Sequence, residues 1–257
     1  MDESKITFKI EKKVAMVTWG PPPINRIELY ELATHLALIS EQFGSENKAH
    51  VIVLSGEDDT SWDFGKILLE SPPKGDRSAS LDLPKIADAL AGFNGPVMAA
   101  IKGDAIGLGL EMALACDLRI VSETSNFGLP QIESGKIPWD GGTQRLTRAI
   151  GPTRAMEMIL TGCTIDAVEA VRLGLVNKAV DKENVPETAV EMARLIAEKG
   201  PISLEYTKEA IHKGLDLTLE QGLRLEADLY YLLHTTSDRE EGIKAFREKR
   251  SPDFKGE

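Results

Sequence analysis

Apolar and polar residues alternate at the start of the chain, in Ile6-Thr7-Phe8-Lys9-Ile10 and again in Val14-Ala15-Met16-Val17-Thr18-Trp19. Two period-two runs separated by Glu11 to Lys13 predict a β-hairpin. Gly20-Pro21-Pro22-Pro23 ends regular structure, because each proline lacks an amide donor and locks its own φ. From Glu28 to Phe43 the period changes, and Leu29, Leu32, Leu36, Ile39 and Phe43 recur at helical spacing. His50-Val51-Ile52-Val53-Leu54 is a short, nearly continuous apolar run, the pattern of a strand covered on both faces.

Gly56 to Arg77 is polar and irregular, a long loop of the kind that usually carries function. A helix is predicted at about Leu83 to Ala91, then a buried strand at Pro96 to Ile101. Gly103 to Gly107 turns the chain into a helix at Leu108 to Ala115, and Asp117 to Val121 reads as a third buried strand. Alternating strands and helices predict an α/β fold with a parallel-rich sheet. After Gly142 the pattern is helical: 142–149, 153–160, 165–172, 186–197, 204–213, 217–233 and 237–247, most bounded by Gly, Pro or a capping side chain. Gly200-Pro201 is a clear break, so residues 1–200 are expected to form the core and 201–257 a helical region for assembly and site closure.

The glycine-rich turn at Lys102-Gly103-Asp104-Ala105-Ile106-Gly107-Leu108-Gly109-Leu110-Glu111-Met112 is the most informative segment. It is not a dinucleotide fingerprint, since the third glycine position after Gly107 and Gly109 is Met112. Gly65-Lys66-Ile67 fails the phosphate-loop pattern in the same way. What remains is a helix start whose first N–H groups are free to meet a ligand or a developing negative oxygen. Glu111 lies three residues after Leu108, on the same face. It is either an acid/base group beside that donor or a glutamate that favours the positive end of the helix dipole.

A second segment, Phe127-Gly128-Leu129-Pro130-Gln131 through Ile137-Pro138-Trp139-Asp140-Gly141-Gly142, is dense in proline and glycine and predicts a shaped loop. Asp140 fits a turn or N-cap position, and also a second carboxylate for the site. His35, His50, His212 and His234 have no metal spacing and read as helix-face or strand-end residues. No serine stands in a G-x-S-x-G context, which removes the nucleophile elbow.

Charge and cysteine content narrow the classes further. A formal net charge of −11 argues against general nucleic-acid binding. Cys116 and Cys163 read as buried free thiols in a reducing compartment. No apolar run reaches the roughly 18 residues of a membrane span. Met1-Asp2-Glu3-Ser4-Lys5 predicts neither a signal peptide nor a transit peptide, so a cytoplasmic location is expected.

Taken together, several stretches resemble the crotonase (enoyl-CoA hydratase/isomerase) superfamily. They run from Gly95-Pro96-Val97 through Asp117-Leu118-Arg119-Ile120, and from Phe127-Gly128 through Gly142-Thr143-Gln144-Arg145-Leu146. Further ones are Ala155-Met156-Glu157-Met158, Thr161-Gly162, Gly174-Leu175-Val176-Asn177 and Glu241 to Arg250. Their order and spacing cover nearly the whole chain. The resemblance implies a spiral of ββα units with a helical C-terminal trimerisation region, forming a homotrimer or homohexamer. It implies an acyl-CoA thioester as substrate, with coenzyme A as part of that substrate and no tightly bound cofactor or metal. Two backbone N–H groups, of Lys66 and Leu108, would hold the thioester oxygen. Ile24, Arg26, Phe246 and Lys249 would contact the CoA portion, the last two from a neighbouring subunit; Lys249 is equally read as one charge of a solvated run.

The same resemblance exposes departures. Glu111 matches the first of two family glutamates, but the second position holds Gln131, whose amide can orient a water or substrate and cannot exchange a proton near neutral pH. Leu108 interrupts a run of small residues, and Trp62, Asp63, Phe64 and Lys66 replace small ones near the first donor. The leading expectation is a lyase or isomerase acting on an unsaturated acyl-CoA through Glu111, with Gln131 or Asp140 positioning water or the acyl tail. The alternatives are an acyl-CoA hydrolase or C–C-cleaving enzyme using Asp140, and a non-catalytic acyl-CoA-binding homologue.

Overall fold

The computed structural model describes residues 6–23, 25–46, 49–65 and 85–257. Strands β1 (Ile6–Glu11) and β2 (Val14–Trp19) form the expected antiparallel hairpin. Lys12 and Lys13 carry it through the turn with positive φ. Helix α1 (Arg26–Glu46) starts earlier than its apolar period suggests. Asn25 explains the start: its Oδ1 accepts the Glu28 N–H at 3.0 Å, and its Nδ2 donates to Glu28 Oε1 at 3.2 Å. The first bond satisfies a helix N–H that would otherwise be orphaned, and the second ties the two side chains together.

Next come β3 (Val51–Gly56), α2 (Ile86–Ala91), β4 (Val97–Ile101), the short β5 (Ala105–Ile106), α3 (Leu108–Ala115) and β6 (Leu118–Ser122). The main sheet has the order β1-β2-β3-β4-β6-β9, where β9 is Lys178–Val180. Every pairing after the first hairpin is parallel. A second sheet of three strands joins β5 to β7 (Asn126–Gly128) and β8 (Thr164–Asp166). The helical stretch predicted at 165–172 therefore begins as strand β8, and α6 (Ala167–Arg172) starts only where Asp166 caps it through the Glu169 N–H.

Alternation along the strands sorts the core onto two faces. Val17, Ile52, Leu54, Ala99 and Ile101 pack with Leu36 of α1, Leu90 of α2 and Met112 of α3. Val14, Val51, Val53, Met98 and Ile120 face the other way, against α7 (Val185–Ala197). The contact side of α7 is Val185, Ala189, Ala193 and Ala197, small residues four apart that let the helix sit close. Burying each strand valine, leucine or isoleucine contributes about 1.5–3 kcal/mol.

The remaining helices are α4 (Gly142–Ile150), α5 (Pro152–Thr161), α8 (Pro201–Gly214), α9 (Leu219–Leu233) and α10 (Ser237–Glu248). Among the described residues no helix is long and apolar enough to cross a membrane. Both cysteines are free; Cys116 is buried as expected, but Cys163 is only partly so, because it sits in the exposed junction between α5 and β8.

Candidate active site

The site starts from β4, whose fully buried residues deliver the chain into the glycine-rich turn. Gly107 holds φ 62°, a conformation that side chains resist, and its N–H donates to Gly128 O at 2.9 Å. The turn is thereby tied to β7. At Gly109 a Cβ would lie 1.8 Å from Trp62 O, so only glycine lets the 62–64 segment cross the first turn of α3. That segment is held by Ile106, whose N–H donates to Trp62 O at 3.2 Å and whose oxygen accepts the Phe64 N–H at 3.3 Å. Trp62 and Phe64 are both buried.

No side chain caps the N-terminus of α3, and among the described residues nothing accepts the Leu108 N–H. Leu108, the residue expected to supply a donor, is buried and opens the helix. Its expected partner, Lys66, lies outside the described residues, as does most of the 56–77 loop; the chain is described up to Gly65, which lies beside Ile106.

Glu111, on the first turn of α3, is completely buried. Its Oε1 accepts the Asp140 N–H and the Gly142 N–H, each at 2.8 Å. Its Oε2 accepts Gln131 Nε2 at 3.2 Å. No salt bridge reaches it among the described residues. Burial, only partly opposed by the two backbone N–H groups, pushes its pKa up to about 7. A group that titrates there can both take and return a proton near neutral pH.

Gln131 belongs to a 3-10 turn, Pro130–Ser134, and is buried. Asp140 is also buried, and its carboxylate is engaged at the start of α2. Oδ2 accepts the Ala87 N–H at 2.7 Å and Oδ1 the Asp88 N–H at 3.3 Å, at the start of α2. Of the two readings of Asp140, the geometry displays a cap, although on a helix 53 residues away rather than on the adjacent α4. Its pKa is raised by burial. The structure therefore brings Glu111, Gln131 and the Asp140 backbone together. The Asp140 and Gly142 amides were not singled out in the sequence; Gly141-Gly142, which lets the loop fold over Glu111, is the only trace of them.

Four residues are expected to contact CoA, the last two from a neighbouring subunit. Ile24 lies outside the described residues, and Arg26 opens α1. Phe246 is 85% exposed on α10, and Lys249 closes that helix with φ 55° on the surface. Among the described residues no group of three or more His, Cys, Asp or Glu could hold a metal ion.

The structure thus sets a buried carboxyl with a raised pKa beside a helix start, in a mostly parallel sheet followed by a helical C-terminal third. The family model for enoyl-CoA hydratase/isomerase matches residues 9–257. The 2,3-dehydroadipyl-CoA hydratase of Escherichia coli is 35% identical, covering 98% of this chain and 99% of that protein. A probable mitochondrial enoyl-CoA hydratase 2 of Arabidopsis thaliana is 49% identical over 161 residues, 63% of this chain and 54% of that one. The crystal structure of an enoyl-CoA hydratase from Bacillus anthracis superposes with TM-score 0.86 at 35% identity, covering 98% of this chain and all of the other. The chain belongs to the enoyl-CoA hydratase/isomerase family. It is an enzyme that acts on acyl-CoA thioesters.

Proposed function

We propose that the chain is an enoyl-CoA hydratase or isomerase in which Glu111 moves the proton at the acyl α-carbon. The thioester oxygen, as it becomes enolate-like, is held by the Leu108 N–H and by the Lys66 N–H. The observation that carries this reading is Glu111 itself: fully buried, without an ion pair among the described residues, raised to about 7, and one helical turn from an unengaged amide. Fixed donors in a buried site stabilise a developing oxyanion more than water does. Coenzyme A arrives as part of the substrate, its distal portion reached by Ile24, Arg26, Phe246 and Lys249.

The hydrolase and C–C-cleaving alternatives have less support, because the carboxylate they need on Asp140 is occupied by the Ala87 and Asp88 amides. Residues 201–257 serve assembly into a trimer or hexamer in this proposal. Exposed Leu219, Tyr231 and Phe246 on α9 and α10 support it, since such side chains in number mark association surfaces. A cytoplasmic location belongs to the same reading, and two free cysteines suit a reducing compartment.

A panel of enoyl-CoA esters in D2O, followed by mass spectrometry, tests the reaction. The expected product gains water or shifts its double bond, with deuterium at the α-carbon. Glu111→Gln should lower the rate at least about 100-fold while CoA-ester binding stays nearly intact. Release of free CoA, or more than about a tenth of the rate in that variant, overturns the assignment. Light scattering of the purified chain tests the assembly.

A further inference from the structure

A carboxylate offers about four lone-pair positions. In Glu111 two N–H donors, from Asp140 and Gly142, converge on Oε1. Oε2 receives one, from Gln131 Nε2. A single acceptor position is left, and it lies on Oε2, the atom that Gln131 holds. The other end of the same carboxamide is in the opposite condition. Gln131 Oε1 is buried and has no hydrogen-bond partner among the described residues. A carbonyl left so costs about 1–3 kcal/mol unless something donates to it.

Resting on the acid/base reading of Glu111, we propose that Gln131 is a positioning residue with two separate tasks. Its Nε2–H stabilises the ionised Glu111 and leaves one lone pair of Oε2 open for the proton. Its Oε1 accepts a hydrogen bond from an O–H of the ligand, either the water added across the double bond or the hydroxyl of a 3-hydroxyacyl product. The O–H is thereby held one carboxamide width from Glu111 Oε2. The amide does both without adding charge, whereas a carboxylate 3.2 Å away would raise the proton affinity of the pair. No covalent step passes through Gln131: Glu111 remains the only group that takes and gives the proton.

The test compares hydration of the best enoyl-CoA with wash-in of α-deuterium into its saturated counterpart, a reaction that consumes no water. Gln131→Met keeps the length and removes both donor and acceptor. Hydration should fall at least tenfold, whereas α-exchange at its own optimum should fall less than threefold. The pH midpoint of exchange should rise by about one unit, because the ionised Glu111 has lost a donor. Gln131→Glu restores an oxygen; it should recover part of the lost hydration and add a second ionisation to the profile. Equal losses in both reactions with an unmoved midpoint would mean that Gln131 only fills space, and would overturn the proposal. If the methionine variant does not fold, a Gln131→Glu profile superimposable on the wild type does the same. Glu111→Gln in the same assays separates the two claims. Retained exchange there sinks the acid/base reading, whereas lost exchange with a wild-type-like Gln131→Met sinks only the role of Gln131.

Discussion

Two carboxylates stand at opposite ends of α3, Glu111 buried and Asp117 mostly so, and they behave oppositely. Glu111, in the first turn, meets only uncharged N–H donors among the described residues. Asp117, just past the last turn, meets an ammonium and an imidazole: Lys208 Nζ lies 2.9 Å from Oδ2 and His212 Nε2 lies 2.9 Å from Oδ1. The Val97 N–H adds a third contact at 2.7 Å, and Lys208 also donates to Gly95 O. Burial pushes both groups up. At Asp117 the His212 bond and the Lys208 ammonium more than offset it, so its pKa is lowered. At Glu111 no cation is in contact among the described residues; Arg145 acts only from a distance and weakly, and the carboxyl stays near 7. Burial with a cation makes a clamp that holds α8 to the sheet; burial without one leaves a carboxyl whose pKa suits the proton transfer proposed for it.

The sharpest way to break this contrast is to remove Asp117. Asp117→Ala leaves Lys208, almost fully buried, without its counter-charge. Losing one partner of such a pair should cost about 4 kcal/mol in denaturant unfolding. Proton exchange per folded molecule should be nearly unchanged; a variant that loses exchange but not stability would reverse the assigned roles.

Opposite pKa shifts also demand opposite pH slopes. The Asp117 contribution is present above the ordinary aspartate value and disappears as pH falls through its lowered pKa. Glu111 binds its proton more tightly folded than unfolded, so it subtracts stability as pH rises from 4.5 to about 7, and the penalty is full above that. Measured against the wild type, Glu111→Gln should therefore gain up to about 3 kcal/mol in stability between pH 5 and pH 8. A stability difference that does not change across that interval would show that Glu111 is not raised.

Asp140 sharpens the comparison from a third position. If it caps α2, Asp140→Ala should lower stability by about 1 kcal/mol. Proton exchange should stay within about tenfold, the residual loss reflecting a loosened hold on Glu111 through the 140 amide. A loss of 100-fold or more would make Asp140 a second proton carrier.

How far the sequence reveals these roles depends on the range of the contacts. The limits of α3, Leu108–Ala115, are legible because a glycine turn and a change of period are local events. The buried run of β4 is legible for the same reason. Strands β7, β8 and β9 are three residues each, too short to show a period, and exist because neighbours pair with them. Glu111 could be singled out from its place on a helix start, but its three donors come from 20 to 31 residues away. His212 was read as a helix-face residue, which it is; its bond to a carboxylate 95 residues earlier has no sequence signature.

His212 also supplies the smallest and most discriminating test. Its side chain is 57% exposed, whereas that of Lys208 is 11%. An exposed partner exchanges its bond for water, so the pair is worth roughly 0.5 kcal/mol. Lys208 and the Val97 N–H would still hold Asp117 after its loss. His212→Ala should thus unfold within about 0.5 kcal/mol of the wild type at neutral pH. A loss as large as that of Asp117→Ala would mean that the clamp depends on the imidazole, and that the buried ammonium is not what separates Asp117 from Glu111.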